Sequence, residues 1–336
     1  MAINKSDIRT ILFVTLSNLG DIILTTPVLG KLYELFPEAR VDVITGEPGK
    51  SVFLGHPAVR EVIVPRRHAS LHESLILAIS LHRRGYDLAV DLKNSLLPFI
   101  VGAKYKASSM AEILKGQGPR SKGQGKAKQH KVYEHLSRLA SLGIDVSGAP
   151  KFFIPVSQEE KIFVDKALKV SGGKKIVVMN PGAKSHLKRW DAAKFADLAV
   201  RLSEGYGCHV FVVGNDDDRD VMGRFLPLAG SCVTDLSSRT SLGALADIMR
   251  RAALVVTNDS APLHVASVVN APTVAIFGPT NEAKYGPLAS KSIVVRPPEV
   301  ACRPCGRALC SAGPDEGCIS RVTVDEVFEA AKRLLS

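Results

Sequence analysis

Short β-branched apolar runs alternate along the chain with longer stretches in which apolar positions recur at helical spacing. In the first half, residues 11–16, 41–45, 62–65 and 88–92 predict strands, and residues 21–36 and 71–84 predict helices. The second half repeats the scheme, with strands at 175–179, 209–214, 254–258 and 273–277 and helices at 191–204 and 242–251. A last helix follows Thr323, which forms a capping box with Glu326. Such alternation predicts an α/β fold of parallel sheets, because parallel neighbours need a crossover connection.

At 336 residues the chain exceeds one ordinary core and fits two domains. Gly, Pro and Ser cluster at residues 148–156, which places the division there and predicts domains at 1–150 and 151–336. Residues 104–131 contain GQGPRSKGQGKAKQHK, too poor in apolar groups to bury much surface, and predict a segment that is mobile without ligand. The apolar run at 11–16 is too short for a signal-peptide core or a bilayer span, and no other stretch reaches spanning length, so a cytoplasmic protein is expected.

The formal net charge of +11 favours an anionic partner: nucleic acid, a membrane face or an acidic substrate. Aromatic residues are only 6% and do not interleave with basic ones as base-stacking surfaces require, which sets nucleic acid aside.

The residues with candidate chemistry follow predicted strands, where a doubly wound sheet binds ligands. After the first strand, Leu16-Ser17-Asn18-Leu19-Gly20-Asp21 lacks the GxGxxG of a dinucleotide site, which disfavours a dehydrogenase. Asp21 there is either a helix cap or a base. The segment from Asn180 to Trp190 combines Gly182 and Ala183 with Lys184, Lys188 and Arg189, a composition suited to a diphosphate, or to a solvated basic loop. Asp259, Ser260, Ala261, Pro262 and His264 open a helix whose first amides would form an anion site, with His264 read as packed and Asp259 as a cap or a sugar ligand. Asp216, Asp217 and Asp218 follow another strand, where a carboxylate can accept from a ribose or sugar diol or cap a helix. Cys302, Cys305, Cys310 and Cys318 include only one tight pair, which favours a reduced cluster over structural zinc, and Cys208 and Cys232 read as core thiols.

In order along the chain, LSNLGDIILTTPVL, PGAKSHLKRW, VVTNDSAPLHVAS, VAIFGPT and CRPCGRALC resemble glycosyltransferase family 9, the ADP-heptose:lipopolysaccharide heptosyltransferases. The resemblance covers essentially the whole chain and implies the GT-B fold of two facing Rossmann-like domains. The first would bind the acceptor and the second the ADP-sugar, and the last helix could pack back on the first domain. It implies an inverting transfer that needs no cofactor or metal. Asp21 would be the general base. Lys188 would contact the donor phosphates, with Gly182, Ala183, Lys184, Asp259, Ser260, Ala261 and His264 around the diphosphate and sugar, and Asp218 near the adenosine. The implied acceptor is the anionic inner core of lipopolysaccharide, met at the inner face of the inner membrane by peripheral contact. Asn18, Arg66, Arg67, Lys93 and the basic residues of 104–131 are acceptor candidates, with plain solvation as the alternative for the basic ones. Two departures bear on the donor: Ala261 replaces the glycine of the usual DSGP, and Lys184 stands where small or hydroxylic residues are frequent. A transferase or epimerase using another nucleotide sugar, and a non-catalytic nucleotide-binding scaffold, are the remaining alternatives.

Overall fold

The computed structural model describes residues 3, 7–66, 68–108, 129–305, 309–310 and 317–336. Arg67 and residues 109–128 of the lysine-rich stretch, both named above as acceptor candidates, lie outside the described residues. The chain forms two compact units, Met1–Pro155 and Val156–Ser336.

The first unit is built on β1 (Thr10–Val14), β2 (Arg40–Ile44), β3 (Val59–Ile63), β4 (Leu88–Asp91) and β5 (Tyr105–Ala107). All pairs are parallel, in the order β3-β2-β1-β4-β5. The chain winds outward from β1 to β3 and returns to β4, so the carboxyl ends of β1 and β4 flank the switch point where such sheets bind ligands. Leu12, Val14 and Ala89 pack with Leu81 of the helix Leu71–Arg83, whose start is closed by a capping box of Ser70 and Glu73.

The helix expected over 21–36 is two helices, Leu19–Ile23 and Thr26–Leu35. Pro27 sits in the first turn of the second, where its missing N–H costs nothing but where a continuous helix would clash. The break is tied down by the Thr25 hydroxyl, which donates to Ile22 O at 2.6 Å and lies 2.8 Å from the buried Thr15 hydroxyl.

Inside β2, Asp42 is fully buried and accepts from Arg60, Arg84 and Tyr86 at 2.6–2.8 Å. Burial pushes its carboxyl up, but the hydrogen bonds from Arg60, Tyr86 and Arg84 outweigh this and hold it below the usual carboxylate range.

The second unit contains β6 (Ile176–Asn180), β7 (His209–Val212), β8 (Val233–Asp235), β9 (Leu254–Asn258), β10 (Thr273–Ile276) and β11 (Ser292–Val295). They pair in parallel in the order β11-β10-β9-β6-β7-β8, the same winding with one more strand. Its switch point lies between β6 and β9. Trp190 anchors the core there: its ring is 1% exposed and its indole N–H donates to Val322 O at 2.9 Å.

The final helix, Val324–Leu335, starts at the expected capping box of Thr323 and Glu326. Its Val327, Ala330, Ala331 and Leu335 join the core of Trp190 and Phe195 in the second unit. Among the described residues, no helix is long and apolar enough to cross a membrane.

Candidate active site

In the second unit the motif residues converge on the carboxyl ends of β6 and β9. Asn180, the last residue of β6, donates to Val213 O at 3.0 Å and accepts from the Ser260 hydroxyl at 3.2 Å. Asn258, the last residue of β9, accepts from Trp190 N at 3.1 Å and donates to Pro181 O at 2.8 Å. Two fully or nearly buried amides therefore lock the loop after β6 to the start of the helix Ala261–Val268.

Lys188 lies in the single turn His186–Lys188 and extends its ammonium to Asp259 Oδ2 at 2.7 Å. The Lys188 side chain is 29% exposed and that of Asp259 only 3%, so the pair sits at the rim with its anion inside. The Thr280 hydroxyl donates to the same carboxylate oxygen. Asp259 does not cap the helix, whose N-cap is Ser260; its Oδ2 accepts from both Lys188 and Thr280. An ammonium has three donors and Asp259 takes one, which leaves Lys188 able to hold a second anion. Ser260 and Ala261 start the helix beside it, where the first amides lack intrahelical acceptors and the dipole favours negative charge. His264 is buried one turn further in, and Lys184 is exposed on the loop.

Gly182 has a more specific role than close approach to a ligand. A Cβ there would stand 2.2 Å from the Asp218 carboxylate, so the space is already filled by Asp218. Asp218 is 7% exposed and accepts from Asn215 N at 3.1 Å, while Asp216 and Asp217 are exposed. Ala183 is likewise engaged in the loop, its carbonyl accepting from Arg189 Nε at 2.7 Å.

Sequence reasoning passed over the support of Asp259. Arg303, whose side chain is 8% exposed, donates to Gly278 O at 2.6 Å, to Thr280 O at 3.3 Å and to Glu282 at 3.3 Å. Cys305 N adds a bond to Pro279 O at 2.9 Å. The CRPC segment therefore holds the loop that carries Thr280. Membership of the VAIFGPT and CRPCGRALC motifs was the only signal. All six cysteines are free thiols, Cys208 is buried, and among the described residues no group of three or more potential ligands could hold a metal ion.

In the first unit, Asn18 and Asp21 follow β1, and Lys93 follows the adjacent β4. Asn18 is the N-cap of the helix Leu19–Ile23 but makes no side-chain cap bond, and Asp21 is the third helical residue. The Asp21 carboxylate accepts from Asn18 Nδ2 at 3.2 Å and is half-buried. Capping therefore does not account for it. Gly46, also missed, allows this loop its place: a Cβ there would lie 2.8 Å from the Ser17 backbone. Lys93 is exposed on a turn organised by Asp91, which accepts from Lys93 N and from Ser95 and whose carboxyl is pushed up by burial. Arg66 follows β3, two strands from β1, and pairs with Glu73 at 2.7 Å while 83% exposed, so the structure does not gather it with Asp21.

The profile of the family described as glycosyltransferase family 9 (heptosyltransferase) matches residues 75–315. A lipooligosaccharide heptosyltransferase 2 of Campylobacter jejuni is 26% identical over 322 residues, covering 94% of this chain and 95% of the relative. Among solved structures, a glycosyl transferase family 9 protein of Veillonella parvula is similar with a TM-score of 0.82 at 22% identity, covering 100% of this chain and 98% of that one. The ADP-heptose lps heptosyltransferase II of E. coli is similar with a TM-score of 0.75 at 24% identity, covering 97% and 98%. These two likenesses establish the fold as GT-B, and the profile match extends over well beyond half of the sequence. The chain is a glycosyltransferase and belongs to glycosyltransferase family 9.

Proposed function

We propose that this protein transfers heptose from ADP-heptose to the inner core of lipopolysaccharide with inversion at the anomeric carbon. The observation that carries the reading is the Lys188–Asp259 pair beside the helix start at Ser260 and Ala261, a cationic rim backed by helix amides. The Campylobacter relative, by its name a heptosyltransferase, and the E. coli structure, by its title one for ADP-heptose, support the choice of donor.

In this mechanism Asp21 takes the proton of an acceptor hydroxyl as that oxygen attacks the anomeric carbon. The bond from that carbon to the ADP oxygen breaks, and ADP leaves with an added negative charge. Lys188 and the amides of Ser260 and Ala261 stabilise that charge, and because Asp259 and Thr280 already orient the ammonium, little reorganisation accompanies the step. Asp218, Gly182, Ala183, Lys184 and His264 complete the donor side. Asn18 and Lys93 meet the anionic acceptor beside Asp21, and Arg66 reaches it from β3. The acceptor is lipid-anchored, so the protein works by peripheral contact at the cytoplasmic face of the inner membrane, where its +11 charge is favourable.

Calorimetry with ADP, UDP, GDP and NAD tests the donor, followed by mass spectrometry of transfer from ADP-heptose to a truncated core. Selective ADP binding and a heptose mass increment are expected. Preference for UDP or GDP would remove heptose as donor, and no nucleotide binding would remove the transferase reading. Arg303→Met should weaken ADP binding about ten-fold, or ~1.4 kcal/mol, because the loop carrying Thr280 loses its tether. Thr280→Val should reproduce most of that loss, and the double variant should add little to either. Full additivity in calorimetry would separate Arg303 from the donor site.

A further inference from the structure

The helix Leu71–Arg83 is apolar on the wrong side for a soluble fold. Its inner face is held by Leu77 and the buried Leu81. Its outer face carries Leu71, Leu75, Ile76 and Ile79, exposed by 92%, 58%, 54% and 44%. At 100° per residue these four fall within one arc, with the exposed Arg83 one turn beyond Ile79 on the same face. The short helix Leu97–Ile100 lies beside its end, joined by a 3.3 Å hydrogen bond from His82 Nδ1 to Ile100 O. It adds Leu96 and Ile100, each about half exposed. Scattered exposed leucines are ordinary, but a stripe of this kind marks an interaction surface.

We propose that this face docks on an anionic phospholipid bilayer, the aliphatic side chains entering the headgroup boundary while the cations meet lipid phosphates. The inference rests on the functional reading above only for the partner being a lipid surface. Charge favours the bilayer over other occupants. Arg83 closes the stripe as an exposed cation, and Arg66 stands exposed at its other end, paired with Glu73. The three carboxylates between residues 68 and 106 are all engaged: Glu73 by Ser70 N and by Arg66, a pair that leaves Arg83 as the uncompensated charge of the stripe among the described residues, Asp87 by the backbone of Arg9 and Thr10, and Asp91 by Lys93 N and Ser95. A second copy seated on this face would set one net-positive patch against another in a chain already at +11, with no exposed anionic group of the stripe to receive Arg83. An anionic membrane takes the apolar stripe and its cations together, as amphipathic interfacial helices do.

The test is co-sedimentation of the full chain with vesicles of phosphatidylethanolamine and phosphatidylglycerol, against vesicles of phosphatidylcholine alone. Binding to the anionic vesicles is expected, weakened by salt and by replacing phosphatidylglycerol. The double variant Leu75→Glu, Ile79→Glu should lower partitioning roughly ten-fold or more, with melting temperature and ADP affinity unchanged. Leu75→Ser with Ile79→Ser, which adds no charge, should give a smaller loss in the same direction. Equal pelleting of wild type and both variants would overturn the proposal. So would a wild-type dimer in sedimentation velocity that the variants convert to monomer, since a second copy would then cover the face. ADP binding measured on the same samples separates the two ideas: its absence with vesicle binding intact sinks the donor reading and leaves the docking surface standing.

Discussion

Asp21→Asn is expected to lower turnover about a hundred- to ten-thousand-fold, equivalent to ~3–5 kcal/mol of transition-state stabilisation, with ADP affinity nearly unchanged. The substitution preserves shape and replaces a proton acceptor by a group that cannot take the acceptor's proton. Its structural cost should be small. Asp21 is the third residue of its helix, the N-cap is Asn18, and no side-chain cap bond exists there to be lost. Among the described residues, the contact to the Asp21 carboxylate comes from Asn18 Nδ2, at 3.2 Å and at an exposed position. What folding loses is the favourable charge near a helix start, worth about 0.3–1 kcal/mol. Turnover and melting temperature together therefore decide the role. A large fall in turnover with a near-native melting temperature is the signature of a base. Retained turnover with a lowered melting temperature would make Asp21 a structural residue of the loop after β1.

Much of this arrangement was legible in the sequence because the informative residues sit next to strong local signals. The strand predicted at 254–258 is β9, residue for residue, and it ends in the TNDSAP segment that places Asp259 and Ser260. The Thr323 capping box marks the last helix for the same reason: two side chains three residues apart satisfy each other's orphan amides whatever the rest of the chain does.

The misses have equally physical causes. β5 and β8 are three residues each, too short to show a period, and exist because a neighbouring strand offers them a ladder. The helix Gln158–Leu168 buries only Val164 and Leu168, so its polar composition concealed it despite the Ser157 and Glu160 capping box. Within the site, Lys188 could be singled out by its loop, but its partner lies 71 residues on and the hydroxyl supporting that partner another 21. Gly182 is intelligible only once Asp218 is seen against it. Tertiary contacts of this range leave no local pattern, so motif membership pointed to the region without assigning the work.

Lys188→Ala should have the second large effect, and a compound one. Removing the ammonium takes a phosphate ligand from the donor site and an electrostatic stabiliser from the departing ADP. ADP affinity should fall about a hundred-fold, ~2.7 kcal/mol, and turnover by about a hundred- to a thousand-fold. The same change strands Asp259, 3% exposed in its side chain, with the Thr280 hydroxyl as its remaining side-chain partner among the described residues. A buried carboxylate without its cation is costly, and near a diphosphate it is also repulsive. The double variant Lys188→Ala, Asp259→Asn removes that stranded charge. It should recover most of any loss in melting temperature and part of the ADP affinity, while turnover stays low because no cation faces the leaving group. A thermodynamic cycle over the four proteins, read by calorimetry and by rate, separates the two contributions. If the double variant recovered turnover as well as affinity, Lys188 would act solely by neutralising Asp259, and the stabilisation of ADP would have to be reassigned to the amides of Ser260 and Ala261. If ADP bound Lys188→Ala as tightly as the wild type, the pair would be structural and the donor phosphates would lie elsewhere.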